Sequence, residues 1–226
     1  MKPFALFLSA ALALQLHAAP TIGTVRVSQT TAIIGAPTQV TVEASITDPT
    51  LITGGANLLQ INSNGTTTIL GALHDDGLNG DHFGGDLVFT LVVTLNSPVA
   101  SQVQLQVSAA FKGVLARVKS STMSVFFQPA NAPQQALASL SQALASGNIT
   151  SALTFINPSS NSVAAISSFG QQSLNFLASA LNAATLVSSG PDSRIFQSPF
   201  TAADGTTTQL EFEMVPNNGQ WIINNW

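Results

Sequence analysis

The chain has 226 residues, room for one large domain or two of ordinary size at roughly 100–150 residues each. Only 7% of it is Asp, Glu, Lys or Arg, against about 25% in an average soluble chain, and six Lys+Arg face ten Asp+Glu. Cations this few exclude nucleic-acid binding, a 45% hydrophobic content excludes a disordered chain, and the absence of cysteine removes disulfides, thiolate metal sites and a catalytic thiol.

The first element in chain order is a targeting segment. Lys2 supplies a positive charge, Phe4 to Leu16 is almost unbroken apolar sequence, and His17-Ala18-Ala19-Pro20 ends the run with small residues. This pattern predicts a secretory signal over residues 1–19, cleaved after Ala18 or Ala19. The apolar run is about 13 residues, short of the roughly 20 that span a bilayer. No later stretch is apolar enough to span one, so the expected product is exported to the periplasm or beyond, with no membrane span. Export of a chain without cysteine points to a bacterium.

Residues 20–128 alternate with period two between turn signals. Val25 and Val27, then Val40, Val42, Ala44 and Ile46 after the Gly35-Ala36-Pro37 break, are the apolar faces of half-buried strands. Asp48-Pro49 closes one strand, and further strands are expected near 56–62, 66–73, 86–95, 101–112 and 114–127, with Asn64-Gly65 as a hairpin turn. Seven short strands without helical periodicity predict an all-β sandwich.

One loop concentrates the titratable groups. His74-Asp75-Asp76-Gly77-Leu78-Asn79-Gly80-Asp81-His82-Phe83-Gly84-Gly85-Asp86 contains four of the ten acids and two of the three histidines. Asp75, Asp76, Asn79, Asp81 and Asp86 could supply the oxygen ligands of a calcium ion, which would also relieve the repulsion between clustered carboxylates. Alternatively the same side chains accept hydrogen bonds from their own loop and hold it folded without an ion. A zinc site through His74 and His82 is the third option. The spacing does not match the helix-loop-helix calcium pattern.

This loop also carries a resemblance. Gly55 to Ile61, Ile69 to Gly77 and Gly80 to Thr90 resemble bacterial exported immunoglobulin-like domains of the choice-of-anchor type, which have a D-D-G-x-x-G-D-x-x-x-G-D-G-hydrophobic-aromatic-T loop. Asp75, Asp76, Gly77, Gly80, Asp81, Gly85, Asp86, Val88, Phe89 and Thr90 fit that pattern, and Leu87 stands where the family usually has glycine. The resemblance implies an immunoglobulin-like sandwich in an exported protein, and no reaction.

Residues 129–133 form a predicted linker, after which the period becomes helical over 134–226. Leu137, Leu140 and Leu144 mark a first helix, with Pro133 suited to its first turn and Gly147 to its end. Asn148 is positioned to cap a second helix that ends at Asn157-Pro158. Ser159 or Ser160 is positioned to cap a third, with Val163, Ile166, Phe169, Leu177 and Leu181 along one stripe. Alternation then returns: Leu210, Phe212 and Met214 oppose Glu211 and Glu213, Asp204-Gly205 and Asn217-Asn218-Gly219 make turns, and Trp221-Ile222-Ile223 starts a last strand. Three helices followed by three or four antiparallel strands predict an α+β unit. The stretch around Leu144 to Asn148, the segment Gly205 to Val215 and the closing Gly219-Gln220-Trp221-Ile222-Ile223 are similar to the nuclear transport factor 2-like superfamily. That resemblance implies three helices packed on a curved sheet with a pocket between, a fold that hosts enzymes and non-catalytic modules.

Trp221, Phe212 and Arg194 are the residues expected at such a pocket, with Trp226 a further aromatic candidate. Enzymes of the superfamily use a carboxylate with tyrosine, or a histidine–aspartate pair. The chain has no tyrosine and no histidine beyond His82, which leaves only Asp192, Asp204, Glu211 and Glu213. No catalytic residue is therefore assigned. The expected role is an exported non-enzymatic binding or structural protein, whose partner is a protein or a small ligand. The alternatives are a small hydrolase or isomerase using one of those carboxylates, and a subunit of a cell-surface assembly.

Overall fold

Alternating apolar residues draw the first half of the chain into nine strands. They are β1 (Val25–Val27), β2 (Thr31–Ile33), β3 (Thr38–Ser45), β4 (Leu51–Ile61), β5 (Thr67–Ala72), β6 (Val88–Leu95), β7 (Ser101–Phe111), β8 (Val118–Lys119) and β9 (Met123–Gln128). The structure, a computed structural model, describes residues 19–201 and 206–226. The expected signal segment through Ala18 and the expected Asp204-Gly205 turn lie outside the described residues.

The nine strands form two sheets, in the orders β1-β3-β6 and β2-β9-β7-β4-β5, with β8 attached to β7. All pairings are antiparallel except that of β2 with β9. Val40, Val42 and Ala44 from one sheet and Leu58, Leu105, Val107 and Val125 from the other belong to one buried cluster. The two sheets thus share a core, an arrangement compatible with a β-sandwich. Each fully buried Val or Leu in it contributes about 1.5–3 kcal/mol. Strand β2, absent from the expected set, is three residues long, too short for alternation to register. The single strand expected over 114–127 is divided. Ser120 interrupts it, its hydroxyl accepting from the Val107 N–H at 3.0 Å.

The second half places helices α1 (Ala132–Ala145), α2 (Ile149–Leu153), α3 (Ser162–Ser168) and α4 (Gln171–Asn182) before strands β10 (Thr185–Ser189), β11 (Arg194–Thr201), β12 (Thr207–Asn217) and β13 (Gln220–Asn225). The strands form an antiparallel sheet in chain order. Leu137, Leu140 and Leu144 of α1 and Leu174, Ala178 and Leu181 of α4 join Phe196, Phe212, Met214, Trp221 and Ile223 of the sheet in a second buried cluster. Helix α1 begins inside the expected linker, at Ala132. Pro133 fits its first turn because the missing N–H would have no partner there. Asn148 caps α2, its side chain accepting from the Ser151 N–H at 3.1 Å.

The expected third helix is two. Phe169 and Gly170 are extended, with ψ of 135° and 163°, and separate α3 from α4. Glycine inside a helix costs about 1 kcal/mol relative to alanine, so this is the weak point at which the stripe breaks. Neither Ser159 nor Ser160 is the N-cap of α3. Asn161 occupies that position without a side-chain cap bond, and the Ser160 hydroxyl accepts from the Ser162 N–H at 3.2 Å. Two buried hydroxyls then fix α4 in place: Ser141 of α1 donates to the Ala178 carbonyl at 2.8 Å, and Ser198 of β11 donates to the Ala180 carbonyl. Among the described residues no helix is long and apolar enough to cross a membrane.

The two clusters meet at a polar seam. The Asp192 carboxylate, between β10 and β11, accepts from the Thr30 and Thr31 N–H groups at 2.6 and 3.1 Å and from their hydroxyls at 3.2 and 3.0 Å. Gln128, the last residue of β9, donates through its side-chain amide to the Gly219 carbonyl at 2.6 Å and accepts from Trp221 Nε1 at 2.7 Å.

Candidate functional site

Two places concentrate features that packing alone does not require: the loop between β5 and β6, and a cavity beside α4.

In the loop, the aspartates bind backbone. Asp75 accepts from three consecutive N–H groups, those of Gly85 and Asp86 on Oδ1 at 2.6 and 3.1 Å and that of Leu87 on Oδ2 at 3.0 Å. Asp81, only 8% exposed, accepts from the Gly77 N–H at 2.7 Å. Asp76 and Asp86 each accept from the N–H two residues ahead, at Leu78 and Val88, both at 2.9 Å. These are the short side-chain turns that Asp favours in loops. Asn79 is exposed with φ of 53°. His74 extends the ladder, its backbone exchanging hydrogen bonds with Thr90 at 3.0 and 2.7 Å, and the exposed His82 ring lies 6.5 Å from that of Phe83. Among the described residues no three His, Asp or Glu side chains are grouped so as to hold a metal ion.

Two backbone features keep the loop compact. A Cβ at Gly84 would lie 2.9 Å from the Asp76 carbonyl carbon, so only glycine lets the two arms of the loop cross this closely. Leu87, at the position where the resembling family has glycine, has φ of 67°. The backbone there adopts the left-handed geometry that glycine would favour, and the side chain is carried at a cost.

The second place is a cavity of about 890 Å³ between α3, α4 and the sheet. Ile166, Phe169, Phe176, Leu177, Phe200, Leu210 and Trp226 make its apolar walls, and Gln172, Ser173, Thr208 and Gln209 its main polar positions. No Asp, Glu, His, Lys or Arg is among its described lining residues. The extended Phe169-Gly170 break and the outer face of α4 present two aromatic rings here, Phe169 and Phe176, 41% and 57% exposed. The Trp226 ring packs 6.0 Å from that of Phe212, and its indole N–H is buried without a hydrogen-bond partner.

Of the expected pocket residues, Phe212 lies behind the cavity wall, stacked on Phe196 at 5.7 Å and 1% exposed. Trp221 and Arg194 do come together, with the guanidinium 5.1 Å from the indole centroid, but at the seam. There Arg194 donates to the Gly190 carbonyl and, at 2.7 Å, to that of Ser193. Both line a smaller hollow of about 210 Å³ against β2 and Gln128. The acids are also placed away from the large cavity. Asp192 is at the seam, exposed Glu211 accepts from Gln197 at 2.8 Å, and Glu213 accepts from Asn224 at 3.0 Å. Asp204 lies outside the described residues. Phe169, Phe176, Phe200 and Leu210 escaped the sequence reading as cavity residues, although one signal was present. Phe176 lies two positions beyond Leu174, so it falls off the buried stripe of α4, where a solvated face would have a polar residue.

No family model matches the chain, and no curated protein matches it.

Proposed function

We propose that this is an exported, non-enzymatic binding protein of two domains, an immunoglobulin-like sandwich of the choice-of-anchor type followed by a nuclear transport factor 2-like unit, and that the unit's cavity takes a small molecule. The carrying observation is the cavity itself, about 890 Å³ with mostly apolar walls, a size and lining typical of small-molecule sites. Export rests on the charge, apolar core and small-residue end of residues 1–19. The non-enzymatic reading is supported by the positions of Asp192, Glu211 and Glu213, each hydrogen-bonded and none lining the cavity. A general acid or base must reach the reacting group, and these do not face the space where a ligand would sit.

The test is mass spectrometry of solvent extracts of the full chain and of Leu210→Asp, which places a charge in the cavity wall, both purified without denaturant. A small molecule released by the wild type and not by the variant is the expected result. Identical extracts from two equally folded proteins would overturn the reading.

A further inference from the structure

We infer that the cavity ligand is an uncharged, largely apolar molecule, held against the rings of Phe169, Phe176 and Trp226; the inference rests on the cavity being the binding site. An ion entering it would lose hydration and meet no charged side chain to replace it among the described lining residues, none of which has an ionisable side chain. The one cation in 134–226, Arg194, is committed elsewhere. It donates to the Gly190 and Ser193 carbonyls and lies over Trp221, none of which belongs to the cavity lining. A carboxylate or phosphate headgroup therefore has no cationic partner among the described lining residues. What the walls offer instead is neutral: the amides of Gln172 and Gln209 and the hydroxyl of Thr208 both donate and accept, and so suit a few carbonyl or hydroxyl groups on an otherwise apolar ligand. Phe176 and Phe169 expose aromatic surface at the rim, which water would otherwise cover at a cost in free energy.

The experiment is a fluorescence titration of the full chain with two naphthylamine dyes of similar size, neutral N-phenyl-1-naphthylamine and anionic 8-anilino-1-naphthalenesulfonate. It compares wild type with Phe176→Glu, Phe176→Ser and Phe83→Ser, the last removing the 71%-exposed ring on the distant loop as a control. The expected result is neutral-dye binding at least about tenfold tighter than the anion. That binding should be weakened about tenfold or more by Phe176→Glu, weakened less by Phe176→Ser, and unchanged by Phe83→Ser. Because Phe176 is largely exposed, both substitutions should leave the circular dichroism spectrum unchanged. If the anion binds as tightly as the neutral dye and Phe176→Glu weakens both, the cavity remains a binding site and the uncharged ligand class is overturned. If neither dye binds, or only Phe83→Ser reduces binding, the cavity reading itself fails. If sedimentation shows a dimer that Phe176→Glu dissociates, the occupant is a second copy of the chain, and the small-molecule inference is overturned.

Discussion

Leu87 has the φ of a glycine position, 67°, while its N–H donates to Asp75 at 3.0 Å and its carbonyl accepts from the Ile46 N–H at 3.0 Å. The backbone is thus held in the left-handed region from both sides, and the Cβ adds a steric cost of about 1–2 kcal/mol. Glycine would remove that cost but would lose more chain entropy on folding, by roughly 0.5–1 kcal/mol. The side chain is 44% exposed, so little burial is lost with it. Leu87→Gly is therefore expected to stabilise the protein by about 0.5 kcal/mol, seen as a higher urea midpoint; a lower midpoint would mean that the leucine's contacts outweigh its strain. The motif made this position legible in the sequence, since glycine is what the pattern calls for there. The hydrogen bonds that force the φ were not legible, because they come from residues 12 and 41 positions away along the chain.

Among elements, the β5–β6 loop shows how far composition reaches. Clustered aspartates and glycines identify a tightly folded loop, but composition does not say whether the carboxylates turn toward an ion or toward the loop's own N–H groups. In this structure three successive N–H groups converge on Asp75 and others on Asp76, Asp81 and Asp86. An ion would compete with these bonds for the same lone pairs. Millimolar calcium added after chelation is accordingly expected to leave the melting temperature unchanged in a thermal scan. A rise of several degrees would show that the loop rearranges to give its carboxylates to the ion. The α3–α4 break is the other instructive element. The stripe from Val163 to Leu181 was readable as helical, but Gly170 lets the chain extend for two residues. That extension turns Phe169 out to the cavity rim.

At the scale of the whole molecule, Asp192 links the two cores by bonding to Thr30 and Thr31, 162 and 161 positions away along the chain. Its four hydrogen bonds hold the start of β2 and the residue before it, satisfying the N–H groups of half-buried Thr30 and buried Thr31. Gln128 and the close approach of Gly219 to Phe126, where a Cβ would lie 2.8 Å from the ring, complete the seam. Asp192→Ala is expected to cost about 2 kcal/mol, since charge-assisted bonds are lost at a partly solvated site. It is also expected to split the calorimetric unfolding transition into two; one unshifted transition would mean that Gln128 and Phe126 hold the seam without it. By itself the sequence determined that strands fill the first half and helices followed by strands the second, through the periods of its apolar residues, and it excluded cysteine, tyrosine and most charge chemistry by count. Only the tertiary structure decided that Asp192 is a clasp, that Trp221 and Arg194 belong to the seam, and that the cavity is walled by Phe176, Leu210 and Trp226. Period is a local property of the chain, whereas a clasp, a seam and a cavity exist only where distant segments meet.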